Sequence, residues 1–361
     1  MGWPKTARKL IVFESDDWGS NRISSNEALR ALIKENILPA TPSHYDRYDT
    51  IARAKDLQML FEVLSSVKDK HGHNAVFTPF VNPSNPDFEK IRESDFKKYY
   101  PEIFTDTLAK SGEKEEVLKL WQEGLNENLL VPAFHGREHL CVPLWMEQLQ
   151  NKDSIVRQAF DHHFYSVPLN TLPAFMGAFR PALFYANETQ IAQLKESVSN
   201  GIQQMKNIFG VEPTVFCPPN GISHSIFDEV SVKAGIKSIM TNRFRSEPDG
   251  KGGLKSKYYG YGQKNEWGQK YYYRNTMFEP TYSDNSVDFC MMQIEAAFRW
   301  WKPAIISTHR VNYMGSLNPE NREKGLSQLK VLLKRIVDKW PDAEFISSND
   351  FSDILHKNNR P

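Results

Sequence analysis

The chain is poor in cysteine, has no excess of charge of either sign and has no long apolar run. Its three cysteines, Cys141, Cys217 and Cys290, fit neither a disulfide framework nor a CxxC metal knuckle. The 45 basic and 44 acidic residues leave a formal charge of +1. The chain therefore lacks the excess of positive charge that is typical of proteins that bind nucleic acids or anionic membranes. The sequence therefore favours a reducing compartment and a small substrate of neutral or mixed charge.

We also expect no segment that directs the protein to or into a membrane. Residues 1–10 run directly into the first apolar strand without a secretory apolar region, and no stretch approaches the roughly 20 apolar residues of a membrane span. We therefore predict a soluble cytoplasmic protein without membrane insertion. The sequence gives no indication of the oligomeric state.

Short apolar runs alternate with amphipathic helical patterns along the chain, which is typical of a parallel α/β sheet or barrel. We expect one domain over residues 1–361, with loop insertions at about 82–112 and 246–288. The predicted strands are 9–13, 75–80, 129–134, 213–217, 237–241, 304–308 and 343–347, with a further candidate at 178–185. The predicted helices are 26–36, 54–70, 114–126, 189–209, 289–301 and 323–340.

Polar residues cluster directly after these apolar runs. Asp16 and Asp17 end the first run, His135 and His139 follow the third, and His309 follows 304–308. In a barrel the carboxyl ends of the strands share one face, where active sites are built. One carboxylate and two imidazoles there could hold a catalytic divalent ion such as zinc and leave a position open for water. The simpler alternatives are a strand-ending turn for the aspartates and a chance spacing for the histidines.

Four motifs follow one another in a recognisable order. They are Asp16-Asp17, His135-x-x-x-His139, Cys217-Pro218-Pro219-Asn220-Gly221 and Ser307-Thr308-His309. In this order they resemble the motifs of the polysaccharide deacetylase family (NodB-type, carbohydrate esterase family 4). The resemblance implies a distorted (β/α)7 barrel, with Asp16 as catalytic base and His309 as general acid facing it across the substrate. It further implies that Asp17, His135 and His139 bind the metal, with zinc expected.

The third motif departs from the family pattern, because Cys217 stands where an arginine that orients the base is usual. We expect Arg180 or Arg310 to supply that guanidinium from elsewhere in the chain. Both are predicted to lie at the substrate site, together with Asn220 and with Trp18 as a sugar-stacking residue. The fourth motif of the family has no convincing match.

These observations predict a metal-dependent hydrolase that removes an acetyl group from an acetylated sugar or polysaccharide precursor by attack of metal-activated water. Two alternatives remain open. A glycoside hydrolase on a related barrel would use Asp16 or Glu14 with a second carboxylate such as Glu138 or Glu279 and would need no metal. A catalytically silent carbohydrate-binding homologue is suggested by Cys217.

Overall fold

Parallel strands alternate with helices in the computed structural model, which describes residues 6–357. The strands are β1 (Lys9–Trp18), β2 (Phe77–Val81), β3 (Ser84–Pro86), β4 (Pro101–Ile103), β5 (Ala133–Phe134), β6 (Val215–Phe216), β7 (Ser238–Met240), β8 (Phe244–Pro248), β9 (Leu254–Tyr258), β10 (Lys270–Tyr272), β11 (Thr276–Met277), β12 (Ala304–His309) and β13 (Ala343–Phe345). The helices are α1 (Asn26–Lys34), α2 (His44–Tyr48), α3 (Ala54–Leu64), α4 (Phe88–Glu93), α5 (Phe104–Ala109), α6 (Lys114–Asn126), α7 (Val142–Gln150), α8 (Ile155–Asp161), α9 (Ile191–Phe209), α10 (Asp228–Lys233), α11 (Ser286–Arg299), α12 (Pro319–Lys339) and α13 (Ser348–Lys357).

One parallel sheet forms a barrel, because the two strands at the ends of its strand order are consecutive in the chain. Its strand order is β10-β7-β6-β5-β2-β1-β12-β11, and β13 also pairs with β1. The two ends of this order belong to one segment, because only residues 273–275 separate β10 from β11. That segment pairs first with β7 and then with β12, both in parallel. If β10 and β11 are counted as one bent strand, seven strand positions surround the interior, which confirms the predicted distorted (β/α)7 barrel.

The barrel interior is filled by alternate residues of the strands. Val12, Phe80 and Ile305 belong to this buried cluster, and α13 adds Phe351 and Leu355 to it. Hydrogen bonds join α13 to the first residues of the neighbouring strands, as in the bonds from Thr214 to Asn349, between Ser238 and Ser352, and from Lys270 to the carbonyl of Leu355. The helix therefore covers the amino-terminal end of the barrel and leaves the carboxyl end for the cavity.

The outer helices cover the other face of the sheet. In α12 the side chain of Asn318 accepts a hydrogen bond from the amide of Glu320, and Pro319 occupies the first turn, where a missing N–H costs nothing. The apolar stripe of this helix is buried in the outer core, as Leu326, Leu329, Leu332, Leu333 and Ile336 are each at most 3 % exposed. Each such burial contributes about 1.5–3 kcal/mol.

The predicted elements agree with the structure in most places. Each of the seven main strand predictions contains or overlaps an observed strand, whereas residues 178–185 form turns and not a strand. Residues 270–277 were expected inside an insertion, but they form the strand that closes the barrel. Among the helices of residues 6–357, none combines the length and the apolar character that a bilayer crossing requires.

Candidate active site

Asp16 and Asp17 are neighbours in the chain, yet both line one cavity at the carboxyl end of the barrel. A β-bulge makes this possible: Ser15 pairs with Pro79 while Trp18 pairs with Val81, so the two aspartates stand opposite a single residue of β2. Asp17 has φ 73°, a left-handed conformation that is uncommon for residues other than glycine. The bulge therefore re-aims a side chain that would otherwise point away from Asp16.

Two histidines direct a ring nitrogen at the carboxylate of Asp17. The Nε2 atoms of His135 and His139 lie 3.4 Å and 3.3 Å from Asp17 Oδ1. The three candidate ligand atoms lie within 4.8 Å of one another, and all three residues are buried. His135 Nδ1 lies 2.7 Å from the carbonyl oxygen of Cys217. Donation to that carbonyl places a proton on Nδ1, so in the neutral ring the lone pair of Nε2 faces Asp17, as metal-binding histidines require.

The charges in this cluster suit a divalent cation. Burial lowers the pKa of His139 to about 3, which keeps its imidazole neutral and able to act as a ligand. Burial alone would raise the pKa of Asp17, but His139 and His135 hold it well below its usual range. Burial would lower the pKa of His135, but Cys217, Asp17 and Asp16 raise it well above its ordinary value, so a metal ion would displace a proton from this ring on binding. With His135 deprotonated, two imidazoles and one carboxylate form a mixed nitrogen and oxygen donor set of the kind found in catalytic zinc sites. The residues present therefore fit the metal that the sequence implies.

Asp16, His135 and Cys217 form a second cluster of possible ligands. Asp16 is less available than Asp17, because both of its carboxylate oxygens accept hydrogen bonds from Arg274. We therefore assign the candidate metal centre to Asp17, His135 and His139.

Arg274 supplies the guanidinium that was expected from Arg180 or Arg310. Its Nη1 and Nη2 donate to Asp16 over 2.6 Å and 2.5 Å, and its Nε donates to Glu14 over 2.7 Å. It lies in the bend between β10 and β11, and its Nη2 is 3.8 Å from the sulfur of Cys217. The guanidinium therefore reaches the base next to Cys217, from a different strand. Burial would raise the pKa of Asp16, but Arg274 lowers it below its ordinary value.

Two predicted substrate residues lie outside the cavity. Arg310 is fully buried, where it pairs with Asp49 at 2.6 Å and donates to the carbonyl of Ser20. Trp18 is also fully buried, and its ring packs edge-on against Trp121 in the outer core. Neither residue lines the cavity, so the structure gives no support to the substrate role predicted for each. The bulge directs Trp18 outward, and Arg310 is the first residue of a buried 3-10 turn.

His309 lies beside Asp16 and not across a substrate-sized gap from it. The two residues are register partners on β12 and β1, and His309 Nε2 is 3.8 Å from Asp16 Oδ2. His309 Nδ1 lies 2.6 Å from Glu279 Oε1, and the other oxygen of Glu279 accepts a hydrogen bond from Asn312. Burial would lower the pKa of His309, but Glu279, Asp16 and Asp17 raise it to about 10. The imidazole is therefore protonated at neutral pH.

These groups surround a cavity of about 260 Å³. Of the substrate residues predicted from the sequence, Arg180 and Asn220 line it. Asn220 is exposed and has φ 55°. Asn242, a polar residue directly after the predicted strand 237–241, also lines it, as that position predicts, whereas the sequence did not single out Arg22, Tyr45 or Met240.

The carboxylates required for glycoside hydrolysis are otherwise engaged. Glu138 pairs with Arg137 at 2.6 Å and does not line the cavity. Glu14 is fully buried and accepts hydrogen bonds from Tyr272, Ser348 and Arg274. Glu279 is held by His309 and Asn312. This geometry supports a metal-dependent hydrolase better than a pair of glycosidase carboxylates.

Comparison with known proteins yields fold neighbours only. No protein-family model and no curated protein matches the chain. Among solved structures, a Mycobacterium smegmatis protein described as a polysaccharide deacetylase aligns with 100% of this chain and 94% of its own at 10% identity and a TM-score of 0.46. A Pseudomonas aeruginosa PAO1 protein described in the same way aligns over 98% and 93% at 8% identity and a TM-score of 0.49. A 4-alpha-glucanotransferase from Thermococcus litoralis aligns over 98% and 41% at 10% identity and a TM-score of 0.45. Similarity at this level transfers neither activity nor ligands to this chain.

Proposed function

We propose that this chain is a metal-dependent hydrolase that removes acetyl groups from an acetylated sugar or polysaccharide precursor, with zinc as its ion. The observation that carries the proposal is the convergence of Asp17, His135 and His139 beside Asp16 and His309 in one cavity. The order of the corresponding motifs, which resembles that of the polysaccharide deacetylase family, supports the choice of an acetylated carbohydrate.

The proposed metal ligands are Asp17, His135 and His139, which leave coordination positions open. When bound there, a divalent ion supplies Lewis acidity that makes water nucleophilic near neutral pH and polarises the acetyl carbonyl. The hydrogen bond from His135 to the Cys217 carbonyl fixes the orientation of one ligand ring.

The protein's own groups then move the protons. Asp16, held ionised and oriented by Arg274, accepts a proton from the water that attacks the acetyl carbonyl carbon. His309, held protonated by Glu279, donates a proton to the sugar nitrogen or oxygen as its bond to the acetyl carbon breaks. The products are acetate and the deacetylated sugar.

Acetate release from N-acetylated and O-acetylated sugars tests the proposal. We expect hydrolysis that a chelator abolishes and added zinc restores, and we expect His139→Ala to lose both metal and activity. His71→Ala is the matched control, because its side chain is 52% exposed and lies outside the cavity. Chelator-insensitive activity, or equal activity of the two variants, would overturn the proposal.

A further inference from the structure

Arg180 differs from the other charged residues around the cavity, because no carboxylate of residues 6–357 forms an ion pair with it. The other charged lining groups are paired: Arg274 with Asp16, Arg22 with Asp46 and Asp49, Asp17 with His135, and His309 with Glu279. A guanidinium has five N–H donors and is always charged. This cavity wall therefore presents one cation that forms no ion pair within residues 6–357.

The surroundings of Arg180 make that charge costly. Its Nε is buried and has no hydrogen-bond partner within the described part of the chain. Burying a charged polar group is unfavourable unless it is paired and hydrogen-bonded. Arg22 lines the same cavity, and its guanidinium lowers the pKa of Arg180 more than Asp46 or Asp17 raises it. An anion in the cavity would reduce the repulsion between the two guanidinium groups and pair with that of Arg180.

The backbone before Arg180 is held in an unusual conformation. Gly177, Ala178 and Phe179 have φ values of 44°, 61° and 63°, a left-handed run that residues with a side chain rarely adopt. Buried contacts hold it in place: Phe179 is fully buried and its carbonyl accepts a hydrogen bond from the amide of Cys141 over 2.6 Å. Strain that the surrounding packing maintains is concentrated at ligand-binding positions. Here it directs one arginine into the cavity.

We propose that Arg180, with Arg22 beside it, binds an anionic group of the substrate, a carboxylate or a phosphate, so that the enzyme acts on acidic carbohydrates. The planar fork of arginine matches both oxyanions and gives them direction as well as charge. This inference rests on the proposed function for the acetylated sugar, but the binding of an anionic sugar does not depend on hydrolysis and can be measured without it.

Calorimetric binding of three non-acetylated probes tests the inference: D-glucuronate, glucose 6-phosphate and uncharged glucose. Wild-type protein and Arg180→Gln are compared at equal measured metal content and equal ionic strength. We expect at least one anionic probe to bind wild type more tightly than glucose does, and Arg180→Gln to weaken that probe by about tenfold or more, the usual loss for a charge-assisted hydrogen bond. The difference in affinity between glucuronate and glucose 6-phosphate shows whether the site prefers a carboxylate or a phosphate.

Two further variants separate the explanations. Arg30→Gln removes one positive charge from the exposed face of α1 and should not change binding. Arg180→Lys keeps the charge without the fork and should show an intermediate loss, which also covers the case in which Arg180→Gln fails to fold. Equal affinity of wild type and the Arg180 variants for the anionic probes would overturn the inference. Binding that disappears when a chelator removes the metal would also overturn it, because the anion would then be bound by the metal and not by Arg180. Binding that depends on Arg180 in a protein without acetyl hydrolysis would support the anion site and reject the proposed function.

Discussion

Asp16 and His309 occupy matched register positions on β1 and β12, and Asp16 Oδ2 lies 3.8 Å from His309 Nε2. Arg274 flanks Asp16 on one side, and Glu279 flanks His309 on the other. The result is a row of alternating charge in which each member stabilises the ionised form of the next. The proposed base and acid therefore form one electrostatic unit, and a change at either end should alter the pH dependence of the reaction.

Arg274→Gln should move the acidic limb of the pH–rate profile to higher pH. The wild-type arginine lowers the pKa of Asp16, and without it burial raises that pKa, so the carboxylate becomes protonated at a higher pH than before. Loss of the guanidinium also leaves the buried carboxylates of Glu14 and Asp16 without their cationic partner, which lowers the free energy of unfolding by about 3–5 kcal/mol. Profiles of kcat/KM and denaturant unfolding of both proteins measure the two effects.

Arg335→Gln is the control for this variant, because it removes an arginine from an exposed ion pair with Asp288. It should change stability by at most about 1 kcal/mol and leave the pH profile in place. An acidic limb that is the same in Arg274→Gln and wild type would show that Arg274 does not control Asp16.

The convergence of the proposed metal ligands could be predicted because it follows simple rules. Asp17, His135 and His139 follow apolar runs, and the carboxyl ends of parallel strands meet at one face. Arg274 follows the aromatic run 271–273 and carries the same signal, but the run was assigned to an insertion. The guanidinium of Arg274 reaches Asp16 only because β10 pairs with β7 and β11, directly after it in the chain, pairs with β12. Sequence patterns do not reveal this pairing.

The position of Trp18 outside the cavity has a physical cause at the bulge. Strict alternation along β1 places Val12, Glu14 and Asp16 toward the interior and would place Trp18 there too. The extra residue at the bulge and the left-handed Asp17 break that alternation, so Trp18 packs in the outer core. Sequence periodicity carries no sign of such a bulge.

Asp16→Asn and Asp17→Asn should differ in metal content. Asp17 Oδ1 faces both histidine rings, whereas the oxygens of Asp16 are held by Arg274. We therefore expect Asp16→Asn to retain near-stoichiometric metal and lose most activity, and Asp17→Asn to lose both. Metal analysis of the purified variants, together with acetate release, checks this division. Equal metal content in the two variants would contradict it.

Gly19→Ala should destabilise the protein far more than Gly72→Ala. Both glycines have similar backbone angles, φ 86° and 80°, so the substitutions share the left-handed cost of about 1–2 kcal/mol. At Gly19 an added Cβ would lie 2.2 Å from the carbonyl oxygen of Asn82, whereas nothing lies within 4 Å at Gly72. We expect a loss of about 3 kcal/mol or more for Gly19→Ala in denaturant unfolding. Similar losses of stability in both variants would show that Gly19 does not lie this close to the carbonyl of Asn82.

Glu279→Gln should move the alkaline limb of the pH–rate profile to lower pH. Glu279 and its neighbours raise the pKa of His309 to about 10, so the acid form survives well above neutrality. Without the carboxylate the pKa of His309 falls, and activity is lost at a lower pH as the imidazole loses its proton. Glu295→Gln, on an exposed part of α11, is the control and should leave the limb unchanged. If the alkaline limb of Glu279→Gln stayed at the wild-type pH, that limb would report the titration of a group other than His309.

His309→Ala should lose activity according to how much the leaving group needs a proton. The side chain touches Asp16 and Glu279 but none of the proposed metal ligands, so the variant should keep its metal. On an N-acetylated sugar, whose amine leaves poorly without protonation, we expect a loss of about a hundredfold or more. On an aryl acetate, whose phenolate leaves unaided, the loss should be much smaller. His71→Ala should match wild type on both substrates, because His71 lies outside the cavity. An equal loss on both substrates would indicate that His309 positions Asp16 and donates no proton, and full activity on the amide would reject a role in the reaction altogether.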